Sequence, residues 1–218
     1  MANTLKPALF LDRDGVIIHD AGYLKQADQV RLIPTAAELI RRANEAGVAV
    51  VVVTNQSGIG RTWITLEDYK SVSARMVELL ALKGAGLDRI YFAPFYKTAE
   101  SSPYPQGEFE FATGSIPQKG AWTDEYRKPN AGMLKTAAQD LGLDLSRSIM
   151  IGDRVTDLAA AHNAGLPRFY FLKSDLFENE TQDLPAWLEK LERHRAGSFH
   201  FETVDTLGEI PLPGAGGV

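Results

Sequence analysis

An α/β fold of three layers, a central parallel sheet with helices on both faces in the Rossmann-like manner, is predicted by two observations. Short apolar runs are bounded by polar or glycine residues, and stretches of helical periodicity lie between them. Regular alternation of the two implies crossover connections between parallel strands.

The first run, Ala8-Leu9-Phe10-Leu11, reads as a strand buried on both faces, and Val48 to Val53, Ser148 to Ile151 and Arg168 to Leu172 repeat the reading. Ile90 to Phe95 forms a further expected strand. Thr35-Ala36-Ala37-Glu38 has the spacing of a capping box, followed by Leu39, Ile40 and Ala43 on one helical face and a stop near Gly47. A second helix opens at Thr65, carries Leu66, Tyr69, Val72, Met76 and Leu80 at helical spacing, and ends near Lys83-Gly84. Two more run from Asn130 to Leu141 and from Thr156 to Ala164, closed by Gly142 and Gly165.

Two stretches break this rhythm. Tyr96 to Tyr126, 31 residues rich in Pro, Gly, Ser and aromatics, is longer than most structureless loops. It reads either as a lid near the site, carrying Tyr96, Tyr104, Phe109 and Phe111, or as a surface excursion packed on its own domain. Pro211 to Val218 reads as a flexible tail. One domain over residues 1–210 is therefore expected, without a large cap domain, and 218 residues suffice for one substantial core.

A formal charge of −5 argues against affinity built on many nucleic-acid phosphates, so no nucleic-acid partner is expected. The absence of cysteine removes thiolate nucleophiles and cysteine-ligated metals. The longest strongly apolar run, Val48 to Val53, is too short to span a bilayer, and no basic-then-apolar leader opens the sequence. A cytoplasmic monomer with no membrane partner is the resulting expectation.

The first strand runs directly into Asp12-Arg13-Asp14-Gly15, placing two carboxylates at the carboxyl end of a buried parallel strand, where open α/β sheets hold their ligands. An Asp-Gly turn would produce the same tetrapeptide. The Ser148–Ile151 strand ends in Gly152-Asp153-Arg154-Val155-Thr156-Asp157, a second carboxylate pair at such an edge. Helix capping explains Asp157 without chemistry, while Asp153 is free to face the site. Clustered carboxylates repel unless a cation sits among them, and a hard oxygen site suits Mg²⁺. Asp12, Asp14 and Asp153 are the expected ligands, with Asp12 kept ionised as a nucleophile toward phosphorus. After the second strand, Thr54-Asn55-Gln56-Ser57-Gly58 is either a phosphate-lining loop or an ordinary polar one. Arg127-Lys128-Pro129 adds two cations just ahead of a helix.

Taken in order, FLDRDGVI, VVVTNQSG, RKP and MIGDRVTD resemble the four motifs of the haloacid dehalogenase (HAD) superfamily. Within it, LDRDG, HDAGY, TNQSGIGR and RKPNAGML are similar to the heptose bisphosphate and histidinol-phosphate phosphatase group, over roughly residues 8–172. The resemblance implies Asp12 as nucleophile, Asp14 as general acid and base, Thr54 and Lys128 as phosphate-holding groups, and Asp153 as a magnesium ligand. It further implies a substrate pocket along Asp20, Gly22, Tyr23, Asn55, Gln56, Ser57, Arg127 and Arg154, with Arg127 and Arg154 available to a second anionic group. Where many relatives carry a zinc cluster of Cys and His, this sequence reads Ala93-Pro94-Phe95 and Asp124-Glu125-Tyr126, so zinc is not expected. The implied activity is hydrolysis of a small phosphorylated substrate, a sugar bisphosphate first and histidinol phosphate or another small phosphoester second. A phosphate-binding regulatory module is the reading from outside enzymology.

Overall fold

The computed structural model describes residues 5–103, 123–174, 181–182, 184–192 and 199–213. Its elements in chain order are β1 (Ala8–Leu11), α1 (Ala36–Glu45), β2 (Ala49–Asn55), α2 (Ser57–Gly60), α3 (Leu66–Ala81) and β3 (Arg89–Ala93). They continue with α4 (Gly132–Leu141), β4 (Ile149–Gly152), α5 (Val155–Ala164), β5 (Arg168–Leu172), α6 (Leu184–Glu192) and β6 (His200–Val204). All six strands are parallel, in the order β3-β2-β1-β4-β5-β6. The chain works outward from β1 to β3, then returns to β4 on the other side of β1. That reversal creates a crevice at the carboxyl ends of β1 and β4.

Strand residues alternate between two cores because successive side chains point to opposite faces. Leu9, Leu11, Val50, Val52, Ile149 and Ile151 pack with Leu39 and Ile40 of α1 and with Val72 and Met76 of α3. Phe10, Val51, Val53, Met150, Phe169 and Phe171 pack on the other face with Met133 and Leu134 of α4 and with Leu158 of α5. Runs buried on both faces have no polar side, which is why β1 reads as four consecutive apolar residues.

Two local expectations need correction, and one strand was not expected. The box predicted at Thr35 is absent: Thr35 has φ 68°, its side chain makes no cap bond, and its hydroxyl instead donates to the Pro34 carbonyl at 2.5 Å. The reciprocal box forms at Thr65, whose Oγ1 accepts from the Asp68 amide at 3.0 Å while an Asp68 carboxylate oxygen accepts from the Thr65 amide at 2.7 Å. The third strand stops at Ala93, two residues short of Phe95, because the chain turns once the Gln56 amide has bonded the Ala93 carbonyl. β6 is an additional edge strand, mostly exposed, which leaves little apolar periodicity to read. Tyr104, Phe109 and Phe111 of the expected lid, and residues 214–218 of the expected tail, lie outside the described residues. Among the described residues no helix is long and apolar enough to cross a membrane.

Candidate active site

Leu11 of β1 lies in register with Ile151 of β4, so the residues just past these positions emerge side by side. The Asp12 amide donates to the Ile151 carbonyl at 3.0 Å, which continues the ladder to the point where the first carboxylate leaves it. One residue past β4, Asp153 is fully buried beneath the turn that follows Asp14. Gly15 makes this approach possible. It has φ +79°, and a Cβ there would stand 2.1 Å from an Asp153 carboxylate oxygen.

The sharp entry into α5 turns a third carboxylate inward. Asp157 accepts from the Arg154 amide at 3.1 Å, an ordinary helix-start contact, and packs so tightly over Gly152 that a Cβ there would meet its own Cβ at 2.3 Å. One oxygen each from Asp12, Asp153 and Asp157 lie within 4.8 Å of one another, a spacing that could hold a metal ion. This trio differs from the expected ligands, with Asp157 in the place assigned to Asp14. The Asp14 side chain is drawn aside by Arg13, whose Nε and an Nη donate to it at 3.0 and 2.9 Å, and by Gln56 Nε2 at 2.9 Å.

Lys128 crosses to the same floor from the segment ahead of α4. Its Nζ lies 3.0 Å from Asp12 and 2.6 Å from Asp157 and donates to the Val53 carbonyl at 2.7 Å. The two carboxylate contacts are charge pairs more than directed hydrogen bonds. Asn55 holds the Lys128 backbone at both ends, donating to its carbonyl at 2.9 Å and accepting from its amide at 3.0 Å. Asn55 therefore positions Lys128 from the end of β2. Thr54, also buried, accepts from Gln56 Nε2 at 2.9 Å.

Burial dominates the titration of this floor. It raises the Asp12 carboxyl above its ordinary range, an effect opposed by Lys128 and reinforced by Asp157 and Asp14. Burial, with Asp12 and Asp157 adding repulsion, lifts Asp153 to about 8. Neither Asp153 oxygen has a partner at hydrogen-bond geometry among the described residues, although the Ser174 hydroxyl gives a weak lowering pull. For Lys128, burial lowers the pKa, but Asp12 and Asp157 together outweigh it and hold the amine charged. Lys128 thus pairs with two of the three buried carboxylates, and the unpartnered Asp153 has the donor chemistry that a hard divalent cation takes.

Above the floor opens a cavity of about 310 Å³. From the loop after β1 it is lined by Asp12, Asp14, Asp20, Gly22 and Tyr23, and from the segment after β2 by Asn55, Gln56 and Ser57. Arg127, Lys128 and Arg154 supply further lining. Arg154 meets Asp20 at 3.1 Å, which ties the loop after β1 to the start of α5. Arg127 donates to the Phe95 carbonyl at 3.1 Å and has no carboxylate partner among the described residues. Its pKa is lowered by burial and then by neighbouring Arg61. Arg61, not anticipated from sequence, stacks 3.3 Å from the Tyr96 ring centroid and 4.7 Å from that of Trp63. Asp157 and Arg13 were also missed: capping accounted for the first, and nothing in a tetrapeptide reveals that its second residue grips its third.

A family model described as HAD-hydrolase-like matches residues 125–186. The D-glycero-D-manno-heptose-1,7-bisphosphate 7-phosphatase of Thermosynechococcus vestitus is 42% identical over 161 residues, 73% of this chain and 76% of that protein. The D-glycero-beta-D-manno-heptose-1,7-bisphosphate 7-phosphatase of Rhodopseudomonas palustris is 33% identical over 171 residues, 78% of this chain and 86% of its own. Among solved structures, the D,D-heptose 1,7-bisphosphate phosphatase of B. bronchiseptica, complexed with magnesium and phosphate, shares the fold with a TM-score of 0.65 at 23% identity, covering 91% of this chain and 92% of that one. With its strand order, its carboxylate floor and these relatives, the chain belongs to the haloacid dehalogenase superfamily, as a phosphoric monoester hydrolase of the heptose bisphosphate phosphatase group.

Proposed function

We propose that the chain is a magnesium-dependent phosphatase that works through a phosphorylated Asp12 and removes the 7-phosphate of a heptose 1,7-bisphosphate of the D-glycero-D-manno series. The observation that carries the reading is the buried meeting of Asp12, Asp153 and Asp157 with the Lys128 amine. Asp12, Asp153 and Asp157 would hold the ion, and Mg²⁺ supplies positive charge that keeps Asp12 ionised and offsets charge on the transferring phosphoryl group.

In the first half-reaction an Asp12 carboxylate oxygen bonds to phosphorus, the bond from phosphorus to the sugar oxygen breaks, and protonated Asp14 gives its proton to that oxygen. In the second half a water molecule bonds to phosphorus, Asp14 takes its proton, and the phosphorus bond to Asp12 breaks. Lys128 holds phosphoryl oxygens through both halves from its anchored place beside Asp12. Burial of the floor keeps bulk water from the nucleophile.

A bisphosphate substrate is supported by Arg127, a cation lining the same cavity with no carboxylate partner among the described residues, and by Arg61 close to it. The relatives named as heptose bisphosphate 7-phosphatases support the sugar. Phosphate release from the heptose bisphosphate, set against histidinol phosphate and other phosphorylated sugars, tests the assignment. Asp12→Asn keeps the shape and removes the nucleophile, so turnover falls by about 10⁴-fold or more with the fold intact. Normal turnover by that variant sinks the mechanism.

A further inference from the structure

Arg13 stands between the two catalytic aspartates in sequence, yet it is only 3% exposed. A buried guanidinium costs on the order of several kcal/mol in lost hydration unless its donors are taken up. Here they are. Nε and Nη2 form a two-pronged grip on the Asp14 carboxylate at 3.0 and 2.9 Å, and Nη2 also donates to Gln56 Oε1 at 3.2 Å. Nη1 reaches Ser73 Oγ at 3.4 Å, and the guanidinium carbon lies 5.1 Å from the Tyr69 ring centroid, so α3 fixes the far side.

Gln56 closes the arrangement. Its oxygen is used by Arg13 and its Nε2 donates both to Asp14 and to Thr54, each at 2.9 Å, which commits the amide to the network and leaves no donor for substrate phosphate. A carboxylate on a short side chain can otherwise rotate about two bonds. A planar fork fixes both the direction and the plane of that carboxylate, which a point charge cannot do. The Asp14 carboxylate is the one acidic group of the catalytic set outside the metal-sized cluster, and it faces the cavity while still 21% exposed.

We propose that Arg13, backed by Gln56, is a positioning residue that orients Asp14 for proton transfer to the leaving oxygen. The inference rests on the reading of Asp14 as the acid–base group and adds the device that aims it. A misaimed acid matters only where the leaving oxygen needs a proton. Loss of aim should therefore harm alkyl phosphates and spare aryl phosphates, whose leaving groups depart as anions.

The test measures kcat/KM, which reports the first phosphoryl transfer, for p-nitrophenyl phosphate and for glycerol phosphate with magnesium present. Arg13→Lys keeps the charge and loses the fork. It should lower kcat/KM for glycerol phosphate by about 100-fold while changing that for p-nitrophenyl phosphate by no more than about threefold, the lower range of acid–base contributions. Equal losses on both substrates, or no loss on either, overturn the inference. Asp14→Asn run on the same pair separates the two claims: a selective loss there without one in Arg13→Lys removes only the positioning role, whereas no selective loss in Asp14→Asn removes the acid–base role itself. Should Arg13→Lys fail to fold by circular dichroism, Gln56→Leu carries the test, with a selective loss of about fivefold expected on glycerol phosphate. A uniform loss or none in that variant is again fatal.

Discussion

The floor and the rim of the cavity are built on opposite physical terms. On the floor, Asp12, Lys128, Asp153 and Asp157 are each no more than 5% exposed, and every position is dictated by a strand end, a helix start or a backbone carbonyl. At the rim, Tyr23 and Trp63 are 44% and 48% exposed and touch edge to face with centroids 4.7 Å apart. Charges on the floor are scarcely screened, so moving one changes the others, and few arrangements satisfy them all. Charges at the rim share the water and can be exchanged one at a time. On the proposed function, chemistry sits where the fold leaves no freedom, and substrate choice sits where it leaves some.

Asp157 offers the sharpest way to break that contrast. Asp157→Asn preserves the helix-start contact but removes one of two negative partners of a buried amine. Breaking one side of such a pair costs about 3–5 kcal/mol, and with Lys128 misplaced kcat should fall by about 100-fold or more. Denaturant unfolding and steady-state kinetics read the two effects. A variant with unchanged stability and turnover would mean that the floor is as tolerant as the rim. A step down in size, Gly15→Ala forces a side chain into a left-handed backbone at a cost of about 1–2 kcal/mol. It also displaces the Asp153 carboxylate, which would stand 2.1 Å from the new methyl group. Activity of this variant should need a higher Mg²⁺ concentration for half-saturation, and an unchanged magnesium titration would detach Asp153 from the metal.

The rim predicts a different kind of loss. Arg127→Ala removes a cation that has no carboxylate partner among the described residues, so KM for the bisphosphate should rise by about tenfold, the scale of one charge-assisted hydrogen bond, with kcat held within about threefold. The same variant should leave p-nitrophenyl phosphate nearly untouched. A fall in kcat on both substrates would instead place Arg127 on the floor.

The contrast also explains what could be read from the sequence. β1, β2, β4 and β5 are legible because a strand buried on both faces is largely apolar, and the aspartates just past the carboxyl ends of β1 and β4 follow in plain view. Parallel pairing then brings Asp12 and Asp153 together without further information. Asp157 was hidden by a second explanation: the residue caps α5 and faces Lys128 at once, and either duty alone accounts for an aspartate there. Arg61, Trp63 and Tyr96 come from two loops, and no periodicity announces that they stack. β6, exposed at the sheet edge, carries too few inward side chains to stand out.

The smallest expected effect serves as the control for all of these, because it loosens the start of a helix whose Tyr69 and Ser73 back Arg13. The α3 start is held by the Thr65–Asp68 box, one turn ahead of Tyr69 and two ahead of Ser73. Thr65→Ala should lower unfolding free energy by about 1 kcal/mol, the ordinary loss for an N-cap hydroxyl. Hydrogen bonds from the Thr65 backbone and then its side chain depress the Asp68 carboxyl below its ordinary value. A depressed acid contributes stability that is present above its unfolded pKa and is lost as the pH falls below it. The difference between Thr65→Ala and the parent should accordingly be constant from neutral pH down to about 5 and shrink below 4. Thermal unfolding across that range measures it, and kcat at neutral pH should match the parent. If kcat falls along with stability, the floor depends on the first turn of α3, and the division between a rigid catalytic base and an independent periphery has to be drawn further out.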